Sequence, residues 1–384
     1  MNVVIAIDSF KGSLSSLEAG EAVKSAILKV VPSANVYVSP LADGGEGTVE
    51  ALTIGMGGKL EDIEVTGPLG KRVTCSYGII QKTKTAIIEI SGAAGLTLLP
   101  KNKRNPLHTT TYGVGEVIKD AIFKGCRHFI VGIGGSATND GGIGMLQALG
   151  YEILDKNKNQ VAFGAKGLKE IAIIKDDMVL PELRECNFRI ACDVKNPLCG
   201  NLGCSVVFGP QKGADSKMIA LMDKWLEHYA DVTSKKYFFK KINAKQEGTG
   251  AAGGLGFAFL AYMNATLESG IKIVLEETKL ENYIKNADVV ITGEGQLDGQ
   301  TIFGKAPIGV AQIAKKYNKP VISFSGSVKK DAILCNKYGI DAFFSILSEI
   351  QTLEEAMKPA RARENIIITV EQVFRLLTIS NIIF

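Results

Sequence analysis

Strand-length apolar runs that end in loops of glycine and short polar residues recur along this chain, and no other feature restricts its fold so much. Residues 3–7 are wholly apolar and exit into Asp8, Ser9, Phe10, Lys11 and Gly12. "NVYVSP" leads to Asp43, Gly44, Gly45, Glu46 and Gly47, and "ADVVIT" to Gly293, Glu294, Gly295, Gln296, Leu297 and Asp298. "RHFIVGI" runs into Gly134, Gly135, Ser136, Ala137, Thr138, Asn139 and Asp140, and "RIAC" into Asp193. After the first loop, Ala19, Ala22, Val23, Ala26, Ile27 and Val30 form the one-sided stripe of a helix. Ser15 and Glu18 have the spacing of a capping box at its start. Strand, loop, helix and strand in that order predict a parallel sheet with right-handed crossovers. Ligands of open parallel sheets bind beyond the carboxyl ends of the strands, where these five loops fall.

The middle of the chain reads differently. "KRVTCSYGII" and "TAIIEISGA" flank the polar turn "QKTK" and predict an antiparallel hairpin. "GVGEVIKDAIFKG" is a helix with Gly125 as its stop. A further helix is expected over 215–231, with Trp225, Leu221 and Leu226 as its packing face. Toward the end, "PVISFSGS" and "DAFFSIL" read as buried strands and "PIGVAQIAKKY" as a helix. Residues 352–377 suggest a final amphipathic helix, although "NIIITV" within it fits a strand as well. The expected fold is α/β with two different α/β domains. One is Rossmann-like with a mostly parallel sheet, from 1–65 plus 285–384; the other is a mixed α/β insertion over 66–284. Residues 105–137 fit either sheet. Two domains also suit 384 residues at about 150 per domain.

Composition narrows the function. The chain is 46% hydrophobic with a net charge of only +4, and its charges are scattered, which argues against a nucleic-acid groove. No run reaches the roughly 20 apolar residues of a membrane span, and the start lacks the pattern of a signal peptide. Seven cysteines form no CxxC pair and sit in mostly apolar surroundings, as free thiols of a reducing cytoplasm do. Cys192 and Cys204 have no neighbouring histidine in sequence and read as core rather than nucleophiles.

The candidate chemistry lies in the loops. The glycines around Gly134 and Gly135 allow left-handed backbone and close approach, and a helix start follows. An anion therefore fits the loop with Ser136, Thr138, Asn139 and Asp140, as ATP phosphate or substrate carboxylate; the alternative is a tight turn that caps the helix. Lys11, with Ser9 beside it, can neutralise a carboxylate or a transferring phosphoryl group. Asp193 can accept a hydroxyl proton, or serve as an Asx-turn acceptor. Asp43, Glu46 and Asp298 are candidates for Mg2+, and equally for loop acceptors.

Two familiar signatures fail. "GQTIFGKA" has the GxxxxGK spacing, but Ala306 and Pro307 stand where a phosphate loop needs Ser or Thr. Pro307 suits a helix first turn, leaving Lys305 able to reach an anion. "GTGAAG" matches GxGxxG without a clean strand before it.

Taken in order, "AIDSFKGSLSS", "PLADGGEGT", "GIGGSATNDGGIGMLQALG", "DVKNPLCG", "VFGPQKGA", "GTGAAGGLGFA" and "ADVVITGEGQLDGQTIFGKAPIGVA" resemble the type-I glycerate kinases. The resemblance runs from the first strand to about residue 375. It implies a two-domain α/β enzyme that moves the γ-phosphoryl group of ATP to D-glycerate, usually giving 2-phosphoglycerate, from a site in the cleft between its domains. Departures from the family pattern are small. Cys204 stands where alanine is expected, "GNLG" lacks a proline after Gly200, and the tail beyond Leu377 is unusually apolar.

On this reading Asp193 takes the hydroxyl proton, Lys11 and Lys305 offset charge on the phosphoryl group, and Mg2+ bridges ATP oxygens to Asp43, Glu46 or Asp298. A kinase for another small hydroxy acid is the alternative. A non-catalytic sensor of acid metabolites is a second, though a sensor needs anion donors and no proton acceptor. A hydroxy-acid dehydrogenase is the third.

Overall fold

The computed structural model describes residues 1–42, 45, 47–236 and 243–380. The chain divides into two compact units. The first comprises Met1–Asp43, Ile54–Met56 and Ile271–Phe384, and the second Gly44–Thr53 and Gly57–Gly270.

With strands numbered along the whole chain, the first unit is built on β1 (Asn2–Ile7), β2 (Asn35–Val38), β11 (Val289–Gly293), β13 (Val321–Ser325) and β15 (Ala342–Ser345). They form one parallel sheet in the order β15-β13-β11-β1-β2. The chain builds outward from β1 in one direction to β2 and in the other to β11, β13 and β15. The order therefore reverses between β1 and β11, the switch point of a doubly wound sheet. The register pairs Ile7 with Gly293, so the loops beginning at Asp8 and Glu294 leave adjacent strand ends. A short two-stranded ribbon, β12 (Gln296–Leu297) with β14 (Ser327–Val328), continues from those ends.

Burial explains the helices of this unit. The helix Ser16–Val30 opens with the full capping box: Ser15 N–H donates to Glu18 Oε2 (2.8 Å), and Glu18 N–H donates to Ser15 Oγ (3.3 Å). Its Ala19, Ala22, Val23, Ala26 and Ile27 are buried against Val3, Ile5 and Ile7. The helix Pro359–Ser380 joins the same core through Ala362, Ile366, Val370 and Phe374. "NIIITV" is thus helical and not a strand. Its β-branched residues put Ile366 and Val370 inward and leave Ile368 exposed, a spacing only a helix gives, and packing overrides local propensity.

The second unit carries β3 (Lys59–Thr66), β4 (Arg72–Ile80), β5 (Thr85–Glu89), β6 (His128–Gly132), β9 (Asn187–Ala191) and β10 (Ala265–Glu268). Their order is β10-β9-β6-β5-β4-β3, parallel from β5 to β10 and antiparallel through β4 and β3. A separate hairpin pairs β7 (Glu152–Leu154) with β8 (Ile173–Lys175). β3 pairs with β4 over its whole length, so this strand belongs to the second sheet although residues up to 65 were expected in the first. Its exposed, polar edge gives no sign of which sheet it joins. β6, from the segment 105–137 that fitted either sheet, lies between β5 and β9.

The helix Ser216–Lys236 buries Met222, Leu226, Tyr229 and Thr233. Leu221 is exposed, so the expected packing face with Trp225 and Leu226 is corrected: the stripe runs through positions four and three apart from Met222. No helix among the described residues is long and apolar enough to cross a membrane.

Candidate functional site

Within the first unit a cavity of about 450 Å³ opens at the switch point. Asp8, Ser9 and Lys11 enter it from the end of β1, and Glu294 and Gln296 from the end of β11. Its opposite wall is apolar, with Ile346, Leu347, Leu353 and Met357. Lys305 also lines it, from the N-cap of the helix Ala306–Lys316, with Pro307 in the first turn as the sequence suggested.

The anion that Lys305 reaches is internal. Its Nζ lies 3.2 Å from Glu294 Oε2 and 3.8 Å from Asp298 Oδ1. Glu294 also accepts from Thr301 Oγ1 at 2.6 Å. Burial pushes the Glu294 carboxyl above its ordinary value, and the bonds from Thr301 and Lys305 only partly oppose this. Asp298 goes the other way. Burial would raise it, but hydrogen bonds from Gln296 and the Gln300 N–H, with Lys305 and Lys329 nearby, hold it below its ordinary value. Both Asp298 oxygens therefore already face donors, two of them ammonium groups. That arrangement fixes the loop and Lys305, and it does not suit a metal cation. Asp43 and Glu46, the other two metal candidates, lie outside the described residues. Among the described residues no group of three or more metal-capable side chains is found.

In the second unit the register sets Glu89, Gly132, Ala191 and Glu268 abreast at the carboxyl edge. Asp193 leaves that edge two residues after Ala191. Its Oδ1 accepts the Gly270 N–H at 3.2 Å, which ties the loop after β9 to the one after β10. Within β9 itself, Arg189 reaches across to Glu268 at the end of β10 through two bonds of 2.8 and 2.9 Å, so this edge is rigidly spaced.

The loop after β6 divides into two parts. Gly134 and Gly135 are exposed and Ser136 sits just below the surface. Thr138, Asn139 and Asp140 are fully buried. Asp140 Oδ2 accepts from the N–H and Oγ1 of Thr111, each at 2.9 Å, and Oδ1 accepts the Gly142 N–H at 3.1 Å. Burial raises its pKa against those bonds. The helix start expected to bind an external anion is thus served by the protein's own carboxylate. Asn139 donates to Ser205 Oγ at 2.9 Å, inside the unit. In this loop only Gly134 and Gly135 are exposed, with Ser136 just beneath them.

The "GTGAAG" glycines serve close approach instead of a dinucleotide. Gly253 O accepts the Gly141 N–H at 2.9 Å, and a Cβ on Gly253 would lie 2.1 Å from Thr138 O. Cys204 is fully buried and its thiol is pushed up to about 12 by burial, which leaves no nucleophile there. Burial raises Cys192 as well.

One residue escaped the sequence reading. Lys212, in the turn Pro210–Lys212, is only 2% exposed. Its Nζ donates to Ser136 Oγ at 2.8 Å and to Thr138 O at 2.6 Å. Among the described residues no carboxylate lies within 4.0 Å of that ammonium. Burial draws its pKa down to about 8, with Cys204 and Asp140 pulling it back. A lysine between Gln211 and Gly213 carries no sequence sign of burial, because its partners lie more than seventy residues away.

Comparison with known proteins bears on this arrangement. A model of the glycerate kinase family matches residues 3–378. A glycerate kinase of Haemophilus influenzae is 47% identical over 98% of this chain and 99% of its own. A glycerate 2-kinase of Escherichia coli K12 is 48% identical over 96% of this chain and 98% of its own. A crystal structure from Salmonella typhimurium LT2, provisionally described as glycerate kinase 2, superposes with a TM-score of 0.90 at 44% identity, covering 99% of both chains.

Proposed function

This chain belongs to the glycerate kinase family, and on that footing we propose that it carries the γ-phosphoryl group of ATP to a hydroxyl of D-glycerate, with 2-phosphoglycerate as the product. The observation that carries the reading is the family match across nearly the whole chain, together with a cation-bearing cavity at the switch point of the first sheet. The Escherichia coli relative bears the name glycerate 2-kinase, which favours the 2-position.

The cavity fits a nucleotide. Its volume is within the range of small-molecule sites, its apolar wall suits a planar base, and Lys11 and Lys305 suit phosphate oxygens. ATP, when bound, supplies the activated phosphoryl group. Lys11 and Lys305 orient it and offset the charge that spreads over its oxygens during transfer. Ser9 adds a hydroxyl donor on the same rim. On the second unit, Asp193 holds the acceptor hydroxyl and receives its proton. The Gly270 N–H on Asp193 Oδ1 fixes the carboxylate for that purpose. The open part of the loop, Gly134 to Ser136, binds an anionic group of a reactant.

Magnesium is proposed as the ion that accompanies ATP, held chiefly by phosphate oxygens. Asp298, already faced by Lys305 and Lys329, does not fit it. All seven cysteines are free, in keeping with a reducing cytoplasm as the working compartment.

The test is an ADP-release assay with D-glycerate, ATP and magnesium, with the product passed to enzymes specific for 2- or 3-phosphoglycerate. Turnover with consumption only by the 2-specific enzyme is expected. Turnover with another hydroxy acid and none with D-glycerate would reassign the substrate.

A further inference from the structure

Lys212 is a buried cation with hydrogen bonds but no ion-pair partner among the described residues. Asp140 acts on it electrostatically from beyond 4.0 Å, and burying an ammonium without a close ion pair is costly, so a protein that keeps one there has a use for the charge. Its two bonds show where the charge is directed. An ammonium has donors and no lone pair, so Ser136 Oγ must be the acceptor of the 2.8 Å bond. The Ser136 proton is then left to point at some other acceptor, and the described residues provide none. Ser136 sits just below the surface, beside the exposed backbone of Gly134 and Gly135. Lys212 thus polarises a hydroxyl whose proton has no acceptor among the described residues, next to open backbone. That is a donor set for an anionic oxygen.

We infer that Ser136, polarised by the buried Lys212, binds the carboxylate of the hydroxy-acid substrate. This rests on the kinase reading given above and names the group that the loop recognises. The choice of carboxylate over nucleotide phosphate follows from the sheet. β6 and β9 are neighbours with Gly132 opposite Ala191, so the Ser136 loop and Asp193 leave adjacent strand ends, about 4.8 Å apart. Both loops leave the same carboxyl edge of this sheet, and on the proposal the acid places its alcohol at Asp193 and its carboxylate at Ser136. Ser136 touches the substrate; Lys212 acts through it as a positioning residue. Uncharged analogues such as glycerol lack the group this pair reads.

The experiment compares Ser136→Ala, Lys212→Met and the double variant by steady-state ADP release. Each single variant is expected to raise KM for D-glycerate at least tenfold. KM for ATP should stay within twofold, and kcat should change less than KM. The double variant should be scarcely worse than either single one, because the two side chains act as one donor. An unchanged KM for D-glycerate would overturn the proposal. A rise confined to KM for ATP would overturn it too, by moving the anion to the nucleotide. Lys212→Met keeps the side-chain length; should it fail to fold, Ser136→Ala carries the test alone.

Calorimetric titration with D-glycerate and with glycerol separates this inference from the kinase reading. Wild type that binds D-glycerate at least tenfold more tightly than glycerol, with that preference lost in Ser136→Ala, supports the carboxylate site even if no ADP is released. Equal binding of the two by wild type sinks it even if turnover is found.

Discussion

Lys305 and Glu294 form an ion pair across the loop that leaves β11, with Nζ 3.2 Å from Oε2, at the rim of the switch-point cavity. The pair sets the position of the ammonium proposed to meet ATP. Lys305 is 40% exposed but Glu294 only 9%, so solvent screens the ammonium while its loss leaves a buried carboxyl held by Thr301, and stability should fall by about 1–2 kcal/mol. Lys305→Met is therefore expected to fold, with a small fall in denaturation midpoint, and to lose tenfold or more in kcat/KM for ATP. A variant with the stability change but normal kinetics would leave Lys305 with a purely structural role.

Asp193→Asn keeps an oxygen that can accept the Gly270 N–H, so the loop geometry is retained. It removes the carboxylate that receives the proton. General-base loss commonly costs about 10²- to 10⁴-fold, and kcat is expected to fall within that range. ATP affinity, measured by direct binding, should stay within threefold. Near-normal turnover would show that another group takes the proton.

The Lys212 ammonium gives a pH dependence with a definite sign. Its pKa is about 8 in the folded protein and near 10.5 when unfolded. Below pH 8 both states hold the proton, and the unfavourable burial of the charge is fully present. Between about pH 8 and 10.5 the folded state releases its proton while the unfolded state keeps it, so stability from this group rises with pH, by up to roughly 3 kcal/mol. Facing it are Asp140 and Cys204, whose titration the comparison must share. Denaturant unfolding of wild type against Lys212→Met should show wild type gaining on the variant through this window. Affinity for D-glycerate should move the opposite way, weakening as the ammonium is lost. Parallel curves for the two proteins would contradict the buried, pKa-lowered lysine.

Ser15→Ala breaks one half of the capping box on the helix Ser16–Val30. A lost cap of this type costs about 1 kcal/mol. The variant should melt lower, and Ser15→Asp should restore most of the loss, since aspartate caps the same N–H. Equal melting of wild type and Ser15→Ala would mean that helix packing against the sheet alone sets the stability.

Sequence alone determined what is local or periodic. The apolar runs of β1, β11, β13 and β15, the hairpin of β4 and β5, and the capping box at Ser15 are written in residues close together in the chain. Their patterns admit few alternatives. The loops at the strand ends were legible for the same reason, because glycine and short polar residues disclose a turn without reference to anything distant.

Tertiary structure alone decided everything that depends on which distant segment lies alongside. β3 is a polar, exposed edge whose own residues do not name the sheet it joins. Ile366 and Val370 are poor helix formers that became helical because one face met the core of the first unit. Asp140, expected to help hold a ligand, is enclosed by Thr111 and the glycines after it, and caps its own helix. Lys212 reads as a solvated turn residue until the Ser136 loop closes over it. Burial and electrostatic environment are properties of the packed neighbourhood, and a linear pattern carries no record of neighbours seventy or more residues away.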